Sequence, residues 1–356
     1  MILNIYFLIF LREMSTSLSV GRIYWLDYAK MVGVFLMIYG HGSLCGDLRN
    51  YVFSFHMPMF FFISGMLYKP LSLLETIKKN WRGLMIPYLL LNLICYIPQV
   101  LVLSLHGTLT IDRLLSNWGA VFLGLGYDTN GLIPIATPCW FIYALFLAKV
   151  MMALSLKKGE KGLVIFCGLS ILITILLQYE KIDLLVPVDS AFLAIPFLSM
   201  GYLLKDKVKD LVQDDRLSMK VTTFLLLLLW FVLVPYNGMV DMNTCKIGNN
   251  LFVFYAIATI ASFVFFKICH ELYLLSENSK KITGGVIFIS QSTLLYVAFN
   301  LMAISYTKSV ISHLSQLPTE GGMMGIIIAT IVFFEHVPIC MFVVKKCPIL
   351  IGKRIR

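Results

Sequence analysis

Ten apolar runs, each close to the length a helix needs to cross a bilayer, leave this chain little choice of fold. They cover 28–46, 51–68, 84–105, 139–156, 162–178, 187–204, 221–236, 250–268, 285–304 and 323–344. At 1.5 Å of rise per residue, ~20 residues span the ~30 Å hydrocarbon layer. The run at 187–204 contains Pro187 and Pro196, which membrane helices tolerate when neighbours satisfy the freed carbonyl. Hydrophobic residues make up 59% of the chain and charged ones 13%, whereas a soluble domain carries roughly twice that charge. The excess apolar surface must face lipid. The expected fold is all-α: one polytopic transmembrane bundle of about ten spans over 28–344. A short cytoplasmic segment, 1–27, precedes it and a basic cytoplasmic tail, 345–356, follows.

The net charge of +10 is not that of a nucleic-acid binder, because the basic residues sit in short clusters between apolar runs. With the ten spans threaded alternately, one face receives 23 Lys and Arg and the other 5, with Lys149 inside a span. Such asymmetry marks the cytoplasmic side, so both termini are expected there, in an inner (plasma) membrane. The longest outer loop, 106–138, contains an amphipathic stretch suited to lying on the membrane or folding back over the bundle. The first eleven residues are apolar but too short to span. Either Met14 is the true start, or the preceding residues form an interfacial lead-in. Long internal repeats are not evident, nor is an inverted pair of broken helices. Eight cysteines (45, 95, 139, 167, 245, 269, 340 and 347) are scattered singly, and neither a disulfide framework nor a metal site is expected.

Ionisable groups inside a bilayer are costly and usually functional. In the first span, Lys30 and His41 are eleven residues apart and fall within ~20° on the helix face; Asp27 falls within ~40° of His41. One stripe therefore carries an acid, a base and an imidazole, with ~16 Å of rise from Lys30 to His41. The plain alternative is an interfacial Asp27–Lys30 pair, a satisfied histidine, and Gly40 and Gly42 serving close packing. His56 enters the second span from the outer side. It is either a second imidazole at the depth of His41 or a structural group donating to a carbonyl freed by Pro58.

The cluster Lys78, Lys79 and Arg82 reads from composition as topology and headgroup contact; the sharper alternative is a phosphate site, for which Arg82 has the best geometry. Trp140 and Phe141, taken alone, form an aromatic belt. Gln291, Ser292, Asn300, Glu335 and His336 suit interhelical hydrogen bonding, with Glu335 the most costly to bury.

Together these residues resemble the integral-membrane acyltransferase family 3, in its fucose O-acetylase-like branch. The resemblance rests on R22-I-Y-W-L-D27-Y-A-K30 leading to G40-H41, and on F55-H56-M-P58-M-F-F-F-I-S64-G65. It continues in K79-N-W-R82 followed by P87-Y88, W140-F141-I-Y-A-L-F, and I289-S290-Q291-S292-T-L-L-Y296. It covers most of the chain in the family's order. The chain departs from the pattern at Ser290, where glycine is common, and at Asn300, where many relatives have histidine.

The resemblance implies a ten-helix enzyme that acylates sugar hydroxyls of envelope or exported glycans, with cytosolic acetyl-CoA as donor. His41 and Lys30 map onto the family's principal activity residues. On that basis Lys30, Lys79 and Arg82 are expected to hold the donor's phosphates. His41 is expected to act as base or acyl carrier, Asp27 to pair with Lys30 or fix it against the donor, and His56 to orient the acceptor or serve as second imidazole. The acceptor is a glycan or a lipid-linked sugar. A glycan transporter or flippase is the rival class; a non-catalytic scaffold gains nothing from burying such a stripe.

Overall fold

The first long helix, α1 (Tyr24–Gly42), places an acidic residue in its first turn and a histidine in its last, the polarity its dipole favours. A computed structural model describes residues 21–42, 46–182, 184, 187–315, 319 and 321–353. Met1, Met14, the 1–20 prefix and Cys45 lie outside the described residues. Beyond α1 the chain forms α2 (Gly46–Phe53), α3 (His56–Met66), α4 (Leu73–Asn80), a π-helical turn (Trp81–Met85) and α5 (Ile86–Leu105). Next come α6 (Ile111–Leu123), α7 (Trp140–Ser155), α8 (Gly159–Glu180), α9 (Val188–Leu203), α10 (Lys205–Gln213) and α11 (Leu217–Asn237). A short antiparallel pair, β1 (Val240–Asp241) and β2 (Lys246–Ile247), leads to α12 (Leu251–Ser276), α13 (Lys280–Gln291), α14 (Thr293–Ser315) and α15 (Gly322–Lys346).

Each apolar run is mostly helical over its described residues, but the runs are not all simple spans. Among the described residues six helices are long and apolar enough to cross a membrane, or seven if α9 and α10, bent by 70° at Leu204, count as one. That makes a multi-pass membrane bundle. The count differs from ten for local reasons. Asp27, Lys30 and His41 make α1 too polar to qualify. The second run breaks at Ser54–Phe55 into α2 and α3. Thr137–Glu180 counts once although it is 44 residues long, about twice what one crossing requires, and it contains a 3-10 turn at Leu156–Lys158 followed by Gly159 at φ +70°.

α1 is the hub, packed against α3, α12, α13, α14 and α15. This position explains its polar stripe: a helix surrounded by protein need not present an apolar face to lipid. α3 and α9 cross at two glycines. A Cβ on Gly65 would lie 2.1 Å from the Leu198 carbonyl oxygen, and one on Gly201 2.1 Å from that of Phe62. Small residues let membrane helices approach this closely. Gly65→Ala should cost about 2–3 kcal/mol by overpacking, measured as a lower unfolding midpoint in detergent; an unchanged midpoint would refute the contact.

At the His41 end of α1 two loops interlock. Helix α6 is capped by Thr110 and ended by Gly124 at φ +73°. It is tied back to the bundle by bonds from Tyr88 Oη to the Val121 carbonyl (2.6 Å) and from Asn117 to the Ile133 carbonyl (2.7 Å). The β1–β2 hairpin is held by Gln178 to the Cys245 carbonyl (2.7 Å), Ser190 to the Met242 carbonyl (2.9 Å) and Asn243 to the Gly126 carbonyl (2.9 Å). At the opposite end, Lys267 is buried and donates to the Val212 and Asp214 carbonyls (2.9 and 2.7 Å). Residues Pro348–Ile351 form a 3-10 turn packed on α5, α14 and α15. Among the described residues seven cysteines are free, and no group of three or more His, Cys, Asp or Glu is placed to hold a metal ion.

Candidate active site

His41, on the last turn of α1, meets Asn300 of α14: Nδ1 lies 2.7 Å from Asn300 Oδ1. The amide is oriented by its own donors, since Asn300 Nδ2 gives hydrogen bonds to the Tyr296 carbonyl (3.0 Å) and the Val297 carbonyl (2.7 Å). Its oxygen must therefore face the imidazole, which fixes the proton on Nδ1 and leaves Nε2 with its lone pair. His56 is fixed the same way, its Nδ1 donating to the Val52 carbonyl at 2.8 Å. Both imidazoles line one cavity of about 160 Å³. The ring of Phe53 stands between them, with centroids 6.1 Å from His41 and 5.1 Å from His56, and Arg49 lies over that ring at 4.5 Å.

Three features of this cavity were not legible in the sequence. Trp140 and Phe141 line it and are buried, rather than forming an interfacial belt. Asp241 and Asn243 of the hairpin roof it, with the Asn243 backbone N–H donating to Asp241 Oδ1 (3.0 Å); an outer loop offers no local signal for this. Asp241 and Arg49 both lie within Coulombic reach of His41, setting an acid and a base at the mouth. Thr293, at the break between α13 and α14, also lines the space. Non-continuous helix at membrane depth is tolerated where it borders a cavity.

The other end of α1 differs from expectation. Asp27 does not pair with Lys30: Arg22 grips its carboxylate with Nε at 2.7 Å and Nη2 at 2.8 Å, and Ser290 donates to the same group. Arg22 arrives in the extended lead-in to α1 and competes better, because its planar fork matches both oxygens. The two departures from the family pattern therefore both touch the polar stripe, Ser290 at Asp27 and Asn300 at His41. Lys30 makes no ion pair with Asp27 but stays within Coulombic reach of it, and both Lys30 and Lys79 lie within Coulombic reach of Lys149. Among the described residues none of these three lysines forms an ion pair with a carboxylate. Lys149 is a lysine on an apolar span, the same signal that singled out Lys30. Arg82 is exposed on the π-helical turn, whose Trp81 ring contacts Phe146 of α7 at 6.2 Å. Lys353 donates to Gln291 (2.5 Å); partial burial and the nearby Arg22 hold its ammonium below the ordinary lysine value.

Lys30, Lys79 and Arg82 do not line the cavity that holds His41. Buried Val34 and Met37 lie between the two ends along α1. Glu335 is exposed, accepts from Thr307 at 3.1 Å and does not line the cavity. His336 is buried, stacked on Tyr296 at 4.7 Å, and outside the cavity.

A helical membrane bundle with a polar stripe on its central helix, a tautomer-locked imidazole in a small cavity and lysines without ion pairs at the stripe's far end defines a class of membrane-embedded enzyme. A family model described as an acyltransferase domain matches residues 23–344, and the chain belongs to that family, acyltransferase family 3. Comparison with curated proteins and with solved structures gives no match.

Proposed function

We propose that this membrane acyltransferase moves an acetyl or similar short acyl group from cytosolic acyl-CoA to a sugar hydroxyl of an envelope or exported glycan. In this reading it crosses an inner membrane ten times with both termini cytoplasmic, α7 and α8 each crossing once. The observation that carries the reading is the locked His41–Asn300 pair, whose free Nε2 suits a general base, on a helix whose other end gathers cations.

The lysines fit phosphates chemically, since Lys30 and Lys79 lie within Coulombic reach of Lys149 and, among the described residues, none of the three makes an ion pair with a carboxylate. The donor's nucleotide would sit at Lys30, Lys79, Lys149 and Arg82, and its narrow thioester arm would pass along α1, displacing Met37 and Phe60, to the depth of His41. His41 Nε2 takes the proton of the sugar hydroxyl as its oxygen attacks the thioester carbonyl. The carbon–sulfur bond breaks, and the imidazolium returns that proton to the departing thiolate. His56 and the Asp241–Asn243 roof hold the acceptor from the other side.

Mass spectrometry of surface glycans from wild-type and deletion strains tests this. An acetyl-sized mass lost on deletion is expected. Glycan missing altogether from the outer face would favour a flippase and remove the enzyme reading. Lys149→Met and Arg82→Ala should each weaken coenzyme A binding by about 5–30-fold, the factor for one to two kcal/mol, without changing acceptor KM. Unchanged coenzyme A affinity in both variants would exclude the cluster as the phosphate site.

A further inference from the structure

Beside the His41 cavity runs a second, larger space of about 480 Å³ between α5, α14 and the 135–138 segment. The two share Thr137, Pro138 and Leu301 as walls, so a molecule in one abuts the other. Most of its lining is apolar, including Pro98, Val102, Leu103 and Met302. Its rim is open to the side: Val102 is 53% exposed and Met302 43%. In a membrane such a rim faces hydrocarbon, so a lipid enters it sideways without crossing water.

Gln99, Thr137 and Ser305 add uncharged polar groups, and one lining residue is charged. Arg113, from the outer amphipathic helix α6, lines the groove, and its Nε is buried without a hydrogen-bond partner. Among the described residues no carboxylate pairs with it. An unsatisfied buried donor costs about 1–3 kcal/mol, and a guanidinium fork suits phosphate oxygens. An apolar channel for a chain, a cation at its end and a shared wall with the reaction cavity match one kind of ligand.

We propose that this groove binds the lipid anchor of the acceptor, a sugar carried on a prenyl-type lipid phosphate. The hydrocarbon chain lies between α5 and α14, the phosphate meets Arg113, and the sugar passes the Thr137–Pro138 wall to reach His41 and His56. A single groove beside a single arginine fits one chain better than the two chains of a bulk phospholipid. The placement of the sugar rests on the acyltransfer reading above; the lipid phosphate site does not.

The test uses the full chain in nanodiscs and a photoactivatable polyprenyl diphosphate as probe. Saturable labelling of α5 and α14 is expected, weakened tenfold or more by Arg113→Ala and largely kept by Arg113→Lys. Ser305→Trp, at an exposed lining position, should weaken it by narrowing the channel. Coenzyme A binding should stay unchanged in all three variants, which reports that they are folded. Equal competition by phosphatidylglycerol would overturn the proposal in favour of an annular lipid, and equal competition by inorganic diphosphate in favour of a soluble-anion site. Labelling insensitive to Arg113→Ala would also overturn it. Arg113-dependent labelling without acyl transfer to any glycan would sink the proposed function and leave the groove standing. Transfer to lipid-linked and released glycan at the same KM would do the reverse.

Discussion

His41→Ala is expected to lower acyl transfer by about 10²–10⁴-fold, the usual worth of a positioned general acid–base group. The variant should still insert and fold. Its ring borders a cavity, so truncation removes one hydrogen bond and enlarges a space that is already polar, leaving the Asn300 oxygen accessible to water. The readout is release of thiol from acetyl-CoA in the presence of acceptor, with coenzyme A affinity measured alongside. That affinity should not move, because the cations at the other end of α1 are untouched. Asn300→Leu gives a graded control. It keeps the imidazole but frees its tautomer, so that Nδ1 no longer has to carry the proton. A loss of about 10–100-fold is expected, the size of effect seen when the outer partner of a metal-bound histidine is removed. Near-normal transfer by His41→Ala would eliminate it as the base, and unchanged activity in Asn300→Leu would eliminate the orienting role.

Asp27→Ala is expected to act on stability before chemistry. Its side chain is 6% exposed and that of Arg22 24%, so the variant leaves a largely buried guanidinium without its counter-ion and Ser290 without its acceptor. Breaking a buried pair costs about 3–5 kcal/mol; with Arg22 a quarter exposed to solvent, about 2–3 kcal/mol is the fitting expectation. The measurement is the unfolding midpoint in detergent, for the single variants and for Arg22→Ala/Asp27→Ala together. The double variant should recover part of the loss, because no unpaired charge remains. If Lys30→Ala couples to Asp27 more strongly than Arg22→Ala does, the carboxylate serves the lysine as the sequence suggested, and the scaffold role fails. The distinction matters for function: Arg22–Asp27–Ser290 joins the start of α1 to α13, and so fixes the helix that carries both Lys30 and His41.

Much of the candidate site was legible because intramembrane polarity is rare and helical spacing is regular. Asp27, Lys30 and His41 stand out in a run of apolar residues, and 100° per residue places them on one stripe without further information. His56 follows from the turn between the first two spans, and the structure sets it on the same cavity as His41, with Phe53 between them. What could not be read was which partner each group would take. Asp27 has Lys30 one turn away and Arg22 five residues back, and the choice depends on the path of the chain before α1. Asn300 lies 259 positions from His41, and nothing local in α14 announces that its amide faces an imidazole. Asp241 and Asn243 sit in a loop whose placement is set by Gln178, Ser190 and Gly126, each from a different segment.

The sequence by itself determined the class of architecture and the relative heights of Asp27, Lys30 and His41: apolar runs of bilayer length force helices, and a periodic helix fixes the angle and rise between its own residues. Tertiary structure alone decided the pairings of those residues, the tautomer of His41, the enclosure of the cavity by Trp140 and the hairpin, and the convergence of Lys30, Lys79 and Lys149. The physical reason is range. Backbone geometry transmits position over a few turns of one helix, whereas hydrogen bonds and charges between helices depend on how whole segments pack.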